Sequence, residues 1–252
     1  MSGWPSPLPP EGELGPWLAR LTPESAAFAD TSRAAIFLLA LQQRARETFY
    51  ADLCEALLPD DFAPESVLDL GCGVGNLSFE LAERFAAPVT GLDIDAFALQ
   101  WGVRFATGST FEFPVRLDAA RFGVSVMEGR QRATRVGFVC GDVLNPPFAP
   151  DSFDLVCAVN LLDSVAEPAT AIKQAVSLLR QGGRLLFASP DSWNLRTTPR
   201  PNWVVSREEW DELFAHAGLR TERRVDDLEW RLKDSPRLHH IYRVHGRLLS
   251  KA

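Results

Sequence analysis

A short apolar run that leads into three glycines at alternate positions constrains the fold of this chain more than any other feature. Residues 67–70, Val-Leu-Asp-Leu, have the composition of a buried strand, and Gly71, Gly73 and Gly75 follow them. Apolar residues then recur at helical spacing over residues 77–85. Glycine lets the backbone approach a ligand closely, and the start of a helix offers unpaired N–H groups. The pattern predicts a strand, a nucleotide-binding turn and a helix.

The spacing of these glycines bears on which nucleotide the turn binds. A dinucleotide fingerprint counted from Gly71 requires its third glycine at position 76, where this chain has Asn76. Asp69 also stands two positions before the first glycine. A carboxylate there suits a cationic ligand better than a diphosphate. A nicotinamide-dependent oxidoreductase is therefore an alternative that the spacing disfavours, and a non-catalytic binding protein of the same fold is a second alternative.

Strand-like and helix-like segments alternate after this turn. The predicted further strands lie at residues 88–93, 136–140, 153–159, 184–188, 221–228 and 239–247. The predicted further helices lie at residues 96–105, 169–179 and 206–217. Strands separated by helices indicate βαβ units. The chain is thus predicted to be an α/β protein with a seven-stranded, mostly parallel sheet flanked by helices.

The length of 252 residues suits a single α/β domain with additions. Residues 1–16 are rich in proline and are predicted to be a flexible arm, so that residues 17–252 form the domain. Residues 17–62 are predicted to form a helical cap. The stretch of residues 106–135 is longer than ordinary loops, which predicts an insertion with its own structure before the third strand. The cap and the insertion are expected to cover the ligand pocket.

Companion motifs follow the glycine turn in order. Asp93 ends the second strand about 20 residues later, where an acid can accept ribose hydroxyls, and Ile94 would then lie against the base. Asp142 and Val143 follow the third strand, and Asn160 follows the fourth. Asp142 could instead serve turn chemistry alone. Asn160 could contact a ligand through its backbone only, or be an ordinary turn residue.

These motifs, together with residues 151–156 before Asn160 and residues 179–185 before the fifth strand, resemble those of class I S-adenosylmethionine (SAM) methyltransferases. The resemblance spans residues 66–189 and implies a Rossmann-like fold with SAM as the cofactor. It also implies that Asp142 accepts the adenine amino group. The resulting set of cofactor-binding residues is Asp69, Gly71, Cys72, Gly73, Gly75, Asp93, Ile94, Asp142, Val143 and Asn160.

A narrower similarity concerns residues 142–193. Residues 142–145, residues 160–163 and the Ser189-Pro190 pair with Trp193 resemble the thiohistidine methyltransferase domain of ovothiol-type synthases. Asp191 departs from that pattern, because an aromatic residue is expected there. Quinone-biosynthesis-type methyltransferases share Pro147-Phe148 and residues 151–154 equally well. The resemblance implies a small polar acceptor, imidazole-like or amino-acid-like, and leaves an O- or C-methyltransferase of the quinone type as the alternative.

Charge and cysteine content limit the partners. The net charge of −7 opposes phosphate-driven binding to nucleic acid. No apolar run approaches the roughly 18–20 residues that a bilayer span requires, and the N-terminus lacks a signal-peptide pattern. The four cysteines lack metal-ligand spacing. We therefore expect a cytoplasmic protein without a metal, nucleic-acid or membrane partner that acts on a small molecule; the sequence does not indicate its oligomeric state.

Methyl transfer requires no particular catalytic side chain, since positioning of the acceptor supplies much of the catalysis, and a base helps only an acceptor that keeps its proton. The catalytic residues are therefore not identified by the sequence. Weak candidates are Asp163, His240 and Tyr242. Asp191, Trp193, His239 and His245 are further candidates for the pocket.

Overall fold

The computed structural model describes residues 26–44, 46–118, 121–129 and 135–251. Along the chain its strands are β1 (Val67–Leu70), β2 (Val89–Asp93), β3 (Thr110–Arg116), β4 (Phe122–Glu128), β5 (Val136–Cys140), β6 (Phe153–Val159), β7 (Leu179–Ser189), β8 (Leu219–Ser235) and β9 (Leu238–Lys251). A seven-stranded sheet has the order β5-β2-β1-β6-β7-β9-β8, and β3 pairs with β4 in a separate hairpin. Within the large sheet, β9 runs antiparallel to both neighbours and the other pairs are parallel. The predicted seven-stranded, mostly parallel sheet is confirmed.

Helices cover both faces of this sheet. They are α1 (Ala26–Gln42), α2 (Phe49–Leu57), α3 (Asn76–Arg84), α4 (Ala96–Ala106), α5 (Pro168–Leu178) and α6 (Arg207–His216). Successive residues of β6 point to opposite faces: Leu155 and Cys157 pack in the core under α1–α4, and Val156 and Ala158 pack in the core under α5 and α6. Burial on both faces explains why the central strands are continuous apolar runs. None of the described helices is long and apolar enough to cross a bilayer.

The last two strands are longer than their sequence predicts. Pairing of β7 with β9 ends at Ser189 and His245, whereas β8 and β9 continue to pair as far as Ser235 and Leu238. We call this projecting part, residues 228–235 and 238–244, the β8–β9 extension. It runs past the carboxyl ends of the parallel strands. Its sequence has the charged composition of a surface loop. The extension is a two-stranded ribbon because β8 and β9 pair with each other along it.

The cap and the insertion pack together on this extension. Trp230 of the extension lies 6.3 Å from the ring of Phe37 in α1 and 5.6 Å from that of Phe49 in α2. The insertion takes the form of the β3–β4 hairpin, and Gln42 at the end of α1 donates to the carbonyl of Val126 at 2.6 Å. We call α1, α2, the β3–β4 hairpin and the β8–β9 extension the cap layer. The predicted arm, residues 1–16, lies outside the described residues.

The loop after β7 carries a stack of indole rings. Trp193 lies parallel to Trp203 at 6.0 Å and to Trp210 of α6 at 6.1 Å between ring centres. Their indole N–H groups donate to the carbonyl of Val204, the carbonyl of Thr198 and a carboxylate oxygen of Asp191, in that order. Because each polar edge is satisfied, the stack fixes the conformation of this loop.

Candidate functional site

The glycine turn after β1 presents bare backbone at the carboxyl edge of the sheet. Gly71, Gly73 and Gly75 have φ angles of 68°, 56° and 91°, which other residues rarely adopt. A Cβ atom on Gly71 would lie 2.5 Å from Leu161 Cδ1, so this glycine is required for packing. A Cβ atom on Gly73 would meet nothing within 4 Å. The turn is therefore packed at Gly71 and open at Gly73, where a ligand can approach the backbone.

Asp93 ends β2 beside this turn. Its Oδ2 accepts from the Gly73 N–H at 2.7 Å and its Oδ1 accepts from the Asp95 N–H at 2.8 Å. Burial raises its pKa, and these backbone hydrogen bonds oppose the shift. A carboxylate offers about four acceptor positions, so both oxygens keep capacity for a ligand diol. Ile94, the next residue, is 70% exposed, which is unusual for isoleucine and fits a surface that a flat ring covers.

Asp142 and Val143 follow β5 at the same edge. Asp142 is exposed, and its Oδ1 accepts from the Leu144 N–H at 2.8 Å. Asp142 thus stabilises a turn, which is the alternative role that its sequence context suggests. Its second carboxylate oxygen has no hydrogen bond to the described residues. Val143 is buried in the α5–α6 core, so its side chain packs under the loop. The Gly141 N–H donates to the Asp93 carbonyl at 3.0 Å and ties the two strand ends together.

Asn160 follows β6 with a left-handed backbone, φ 54°. Its N–H donates to the Ala188 carbonyl at 2.8 Å. Both polar atoms of its side-chain amide are buried and have no hydrogen-bond partner among the described residues. An unpaired buried polar group costs about 1–3 kcal/mol. The next residue, Leu161, lies against Gly71, so the chain passes the glycine turn here, and a bound ligand would satisfy the unpaired amide.

Asp69 and Cys72 lie beneath the turn. Asp69 is 2% exposed, and its Oδ2 accepts from the Ser78 hydroxyl at 2.6 Å. Burial raises the pKa of Asp69 to about 7, against the effect of this hydrogen bond. The Cys72 thiol packs against Gly91, where a Cβ atom would lie 2.7 Å from the sulfur. The Asp69 carboxylate is thus enclosed beneath the turn and holds α3 through Ser78.

The three weak catalytic candidates occupy two separate places. Asp163 is 3% exposed, its Oδ2 accepts from the Ser192 N–H at 2.9 Å, and burial raises its pKa to about 6. It braces the loop after β7. His240 is exposed on the β8–β9 extension and lies 6.4 Å from the ring of Tyr242, which lies 5.0 Å from that of Trp230.

A buried cluster accounts for two of the further pocket candidates. His245 is fully buried, and its Nε2 lies 3.1 Å from Asp191 Oδ1. Trp210 donates to the same oxygen and Arg207 donates to Oδ2. Although burial opposes it, these bonds lower the pKa of Asp191. A histidine enclosed in this way holds the loop and α6 together. Within the described residues no group of three or more His, Cys, Asp or Glu is arranged to hold a metal.

A cavity of about 280 Å³ lies next to the glycine turn. Its wall consists of Ala40, Leu41, Arg44, Glu47, Thr48, Phe49, Tyr50, Ala51, Asn76, Glu80, Trp230 and Arg231. Among the described residues, α1, α2, the segment between them, α3 and the β8–β9 extension thus line it, and the β3–β4 hairpin contributes none of the lining residues. The sequence did not indicate that Arg44, Glu47 and Tyr50 belong to this wall. In the sequence, Asn76 was considered only because it stands where a dinucleotide fingerprint requires glycine. Nothing in the sequence indicated that it lines a cavity.

Residues 42–240 match the family model described as "Methyltransferase domain". This match covers most of the chain, and the chain belongs to the methyltransferase-domain family. Membership speaks against the nicotinamide-dependent oxidoreductase alternative. The narrower similarity to ovothiol-type enzymes stays a prediction.

Two curated relatives and one solved structure are similar to this chain. Ajmaline N-methyltransferase of Rauvolfia serpentina is 24% identical over 139 residues, and a ubiquinone biosynthesis O-methyltransferase of Ralstonia nicotianae is 28% identical over 127 residues. These matches cover 54% and 50% of this chain but 40% and 44% of the relatives, so the chain spans less than half their length. The N-methyltransferase NodS of Bradyrhizobium japonicum WM9, solved with S-adenosyl-L-homocysteine, has a TM-score of 0.55 at 18% identity and covers 83% of this chain and 90% of its own. The last likeness shows the shared fold.

Proposed function

We propose that this chain is a SAM-dependent methyltransferase that acts on a small molecule. The observation that carries the proposal is the buried, unpaired amide of Asn160 beside a glycine turn that is open at Gly73. A buried amide that has no partner among the described residues fits a polar ligand. Because the chain belongs to the methyltransferase-domain family, we propose that this ligand is SAM.

Each residue at the sheet edge has a task in this proposal. Asp93 accepts both ribose hydroxyls with the acceptor positions that its backbone bonds leave free. Ile94 packs against the adenine ring, and the second oxygen of Asp142 accepts the adenine amino group. The Gly73 backbone and the Asn160 amide hold the amino-acid end of the cofactor. When bound, SAM supplies a methyl group on a sulfonium, and the negative charges of Asp69 and Asp93 favour that cation.

The acceptor is proposed to be a small polar molecule, imidazole-like or amino-acid-like. The cavity beside the glycine turn supports this proposal, because small ligands generally bind in concave pockets that combine apolar walls with a few polar groups. A quinone-type O-methyltransferase is a second candidate, because one curated relative is named for ubiquinone biosynthesis. A cytoplasmic location and the absence of nucleic-acid partners stay predictions.

Calorimetric titration of the purified protein with SAM, S-adenosylhomocysteine and NADH tests the proposal. We expect both adenosyl compounds to bind and NADH not to bind. Asn160→Ala should weaken SAM binding about tenfold, the loss of one hydrogen-bonded contact of about 1.4 kcal/mol. Asn202→Ala is the matched control, because Asn202 is exposed and donates only to the Ala166 carbonyl. SAM that fails to bind the folded wild-type protein would refute the function.

A further inference from the structure

The cavity adjoins the end of the glycine turn. Asn76, which lines it, directly follows Gly75 and is the first residue of α3. Tyr50 also lines the cavity, and burial, followed by the charge of Asp69, raises the pKa of its hydroxyl. The hydroxyl of Tyr50 is therefore within electrostatic reach of the carboxylate under the turn. A molecule in this cavity would sit next to a cofactor on the turn.

Asn76 contributes an unsatisfied acceptor to this cavity. The residue is 7% exposed, and its Nδ2 donates to the Phe37 carbonyl at 3.2 Å. A carbonyl only accepts, so this bond fixes which way the amide points. The remaining atom, Oδ1, is buried and has no partner in the part of the chain that the structure describes. It requires an N–H or O–H donor, and a molecule in the cavity can provide one.

The two arginines that line the cavity are both paired with carboxylates, whereas the lining residue Glu47 is not paired with a cation among the described residues. Arg44 bonds Glu80 and, at 2.8 Å, Glu83. Arg231 bonds Glu229 at 2.6 Å. Both arginines are thus neutralised by their own carboxylates. Glu47 has no hydrogen-bonded cation among the described residues. Burial raises its pKa, and the charges of Arg231, His239 and Lys233 oppose this from a distance without bonding to the carboxylate. A positively charged ligand would relieve that carboxylate.

The cavity also offers an aromatic surface. Trp230 is 8% exposed, lines the cavity and is held by Phe49 and Tyr242. A fixed indole can stack on a planar ring and attract a cation to its face. The wall of the cavity therefore favours a ligand with three properties: a hydrogen-bond donor, a positive charge and a planar ring.

We propose that this cavity binds the methyl acceptor and that the acceptor is a small primary or secondary amine attached to a planar ring. The inference rests on the proposed methyltransferase function. The ammonium binds near Glu47, one N–H donates to Asn76 Oδ1, and the ring packs on Trp230. The amine loses a proton to solvent before it reacts. Its lone pair then forms the N–CH3 bond while the S–CH3 bond breaks, the sulfur keeps the bonding pair, and the methylated ammonium carries the charge.

Calorimetry on the protein saturated with S-adenosylhomocysteine tests this assignment with defined probes. The probes are benzylamine, phenethylamine and tryptamine, with tryptophol and indole-3-acetate as neutral and anionic counterparts of tryptamine. At least one amine should bind, and tryptophol and indole-3-acetate should bind at least about tenfold more weakly than tryptamine. Glu47→Gln should weaken amine binding about tenfold. Glu55→Gln, at an exposed glutamate of the nearby helix α2, should leave it unchanged.

The outcomes separate the two proposals. If SAM itself does not bind, the proposed function fails. If SAM binds but no amine binds its complex, or the alcohol or the acid binds as well as the amine, the acceptor class is wrong. If Glu47→Gln weakens SAM binding instead of amine binding, the cavity belongs to the cofactor and the inference is overturned.

Discussion

The carboxyl edge of the sheet and the cap layer build the two sides of one candidate site in different ways. At the sheet edge, a single aspartate holds the five-residue glycine turn, because the Asp93 carboxylate accepts from the Gly73 N–H. In the cap layer, the contacts join residues far apart in sequence. Gln42 bonds Val126, 84 positions away, and Arg116 pairs with Asp234, 118 positions away.

This difference separates two kinds of constraint. Neighbouring parallel strands fix the sheet edge, so a change there should alter the proposed cofactor contacts. The cap layer is assembled from four segments that meet mainly through side chains. Substitutions in that layer can therefore change the shape of the acceptor cavity while the glycine turn stays as it is. The predictions below test this separation in order of decreasing effect.

Trp230→Ala should have the largest effect, on the stability of the cap layer. It removes a buried indole that packs on Phe37, Phe49 and Tyr242. Loss of a buried aromatic side chain costs about 3–5 kcal/mol. Urea denaturation should show this loss, and Trp230→Phe should recover much of it. SAM affinity measured on the folded variant should stay near that of wild type; a parallel loss of affinity would break the comparison.

Asp93→Ala should affect the sheet edge and leave the cap layer intact. A charge-assisted hydrogen bond contributes about 1.5–3 kcal/mol, so SAM affinity should fall roughly ten- to a hundredfold. Calorimetric titration gives the affinity, and hydrogen exchange shows whether the cap layer is still closed. Asp227→Ala, at an exposed site on β8, is the control. Unchanged affinity in folded Asp93→Ala protein would remove Asp93 from the cofactor site.

SAM affinity should rise with pH as Asp69 ionises. Burial raises the folded-state pKa of Asp69 from 3.8 to about 7, so the native protein binds a proton that the unfolded chain has lost. This group's effect on stability is therefore most favourable below about pH 4 and declines as the pH rises towards 7. A cationic cofactor favours the carboxylate, so affinity should increase by up to about tenfold between pH 6 and 8 and then level off. In Asp69→Asn protein the same titration should be flat; a slope that persists there would assign the effect elsewhere.

Gln42→Ala should have the smallest effect. It removes two hydrogen bonds to β4, to the Val126 carbonyl and from the Ser125 hydroxyl. Because these groups are exposed, each bond contributes at the low end of about 0.5–1.5 kcal/mol. Hydrogen exchange in the β3–β4 hairpin should become faster, while denaturation of the whole protein and SAM affinity change little. Equal protection of the hairpin in both proteins would show that α1 does not hold it.

The sheet could be predicted because its signals are local. Burial on both faces makes β1 and β6 mostly apolar, with one aspartate in each, and three left-handed positions in the turn hold glycine. The same logic located Asp93 and Asn160 at strand ends. It did not indicate that the Asn160 amide is unpaired, because the lack of a partner depends on everything packed around it.

The cap layer resists prediction for the opposite reason. The β8–β9 extension is defined by cross-strand pairs such as Trp230 with Tyr242, and its charged composition hides the strand. Glu47 and Asn76 come together with Trp230 only because helices and ribbon converge in space. A polar residue in a connecting segment carries no mark of the cavity that it will line.

The stack of Trp193, Trp203 and Trp210 has an optical consequence. Fixed aromatic packing gives rise to near-ultraviolet circular dichroism, which disappears when specific packing is lost even if secondary structure remains. Indole rings held 6.0 and 6.1 Å apart at interplanar angles of 14° and 11° are oriented chromophores of this kind. Trp230 lies apart from them, in the cap layer. The near-ultraviolet spectrum should therefore report the loop after β7, and the difference spectrum of Trp230→Phe protein should isolate the signal of the cavity wall.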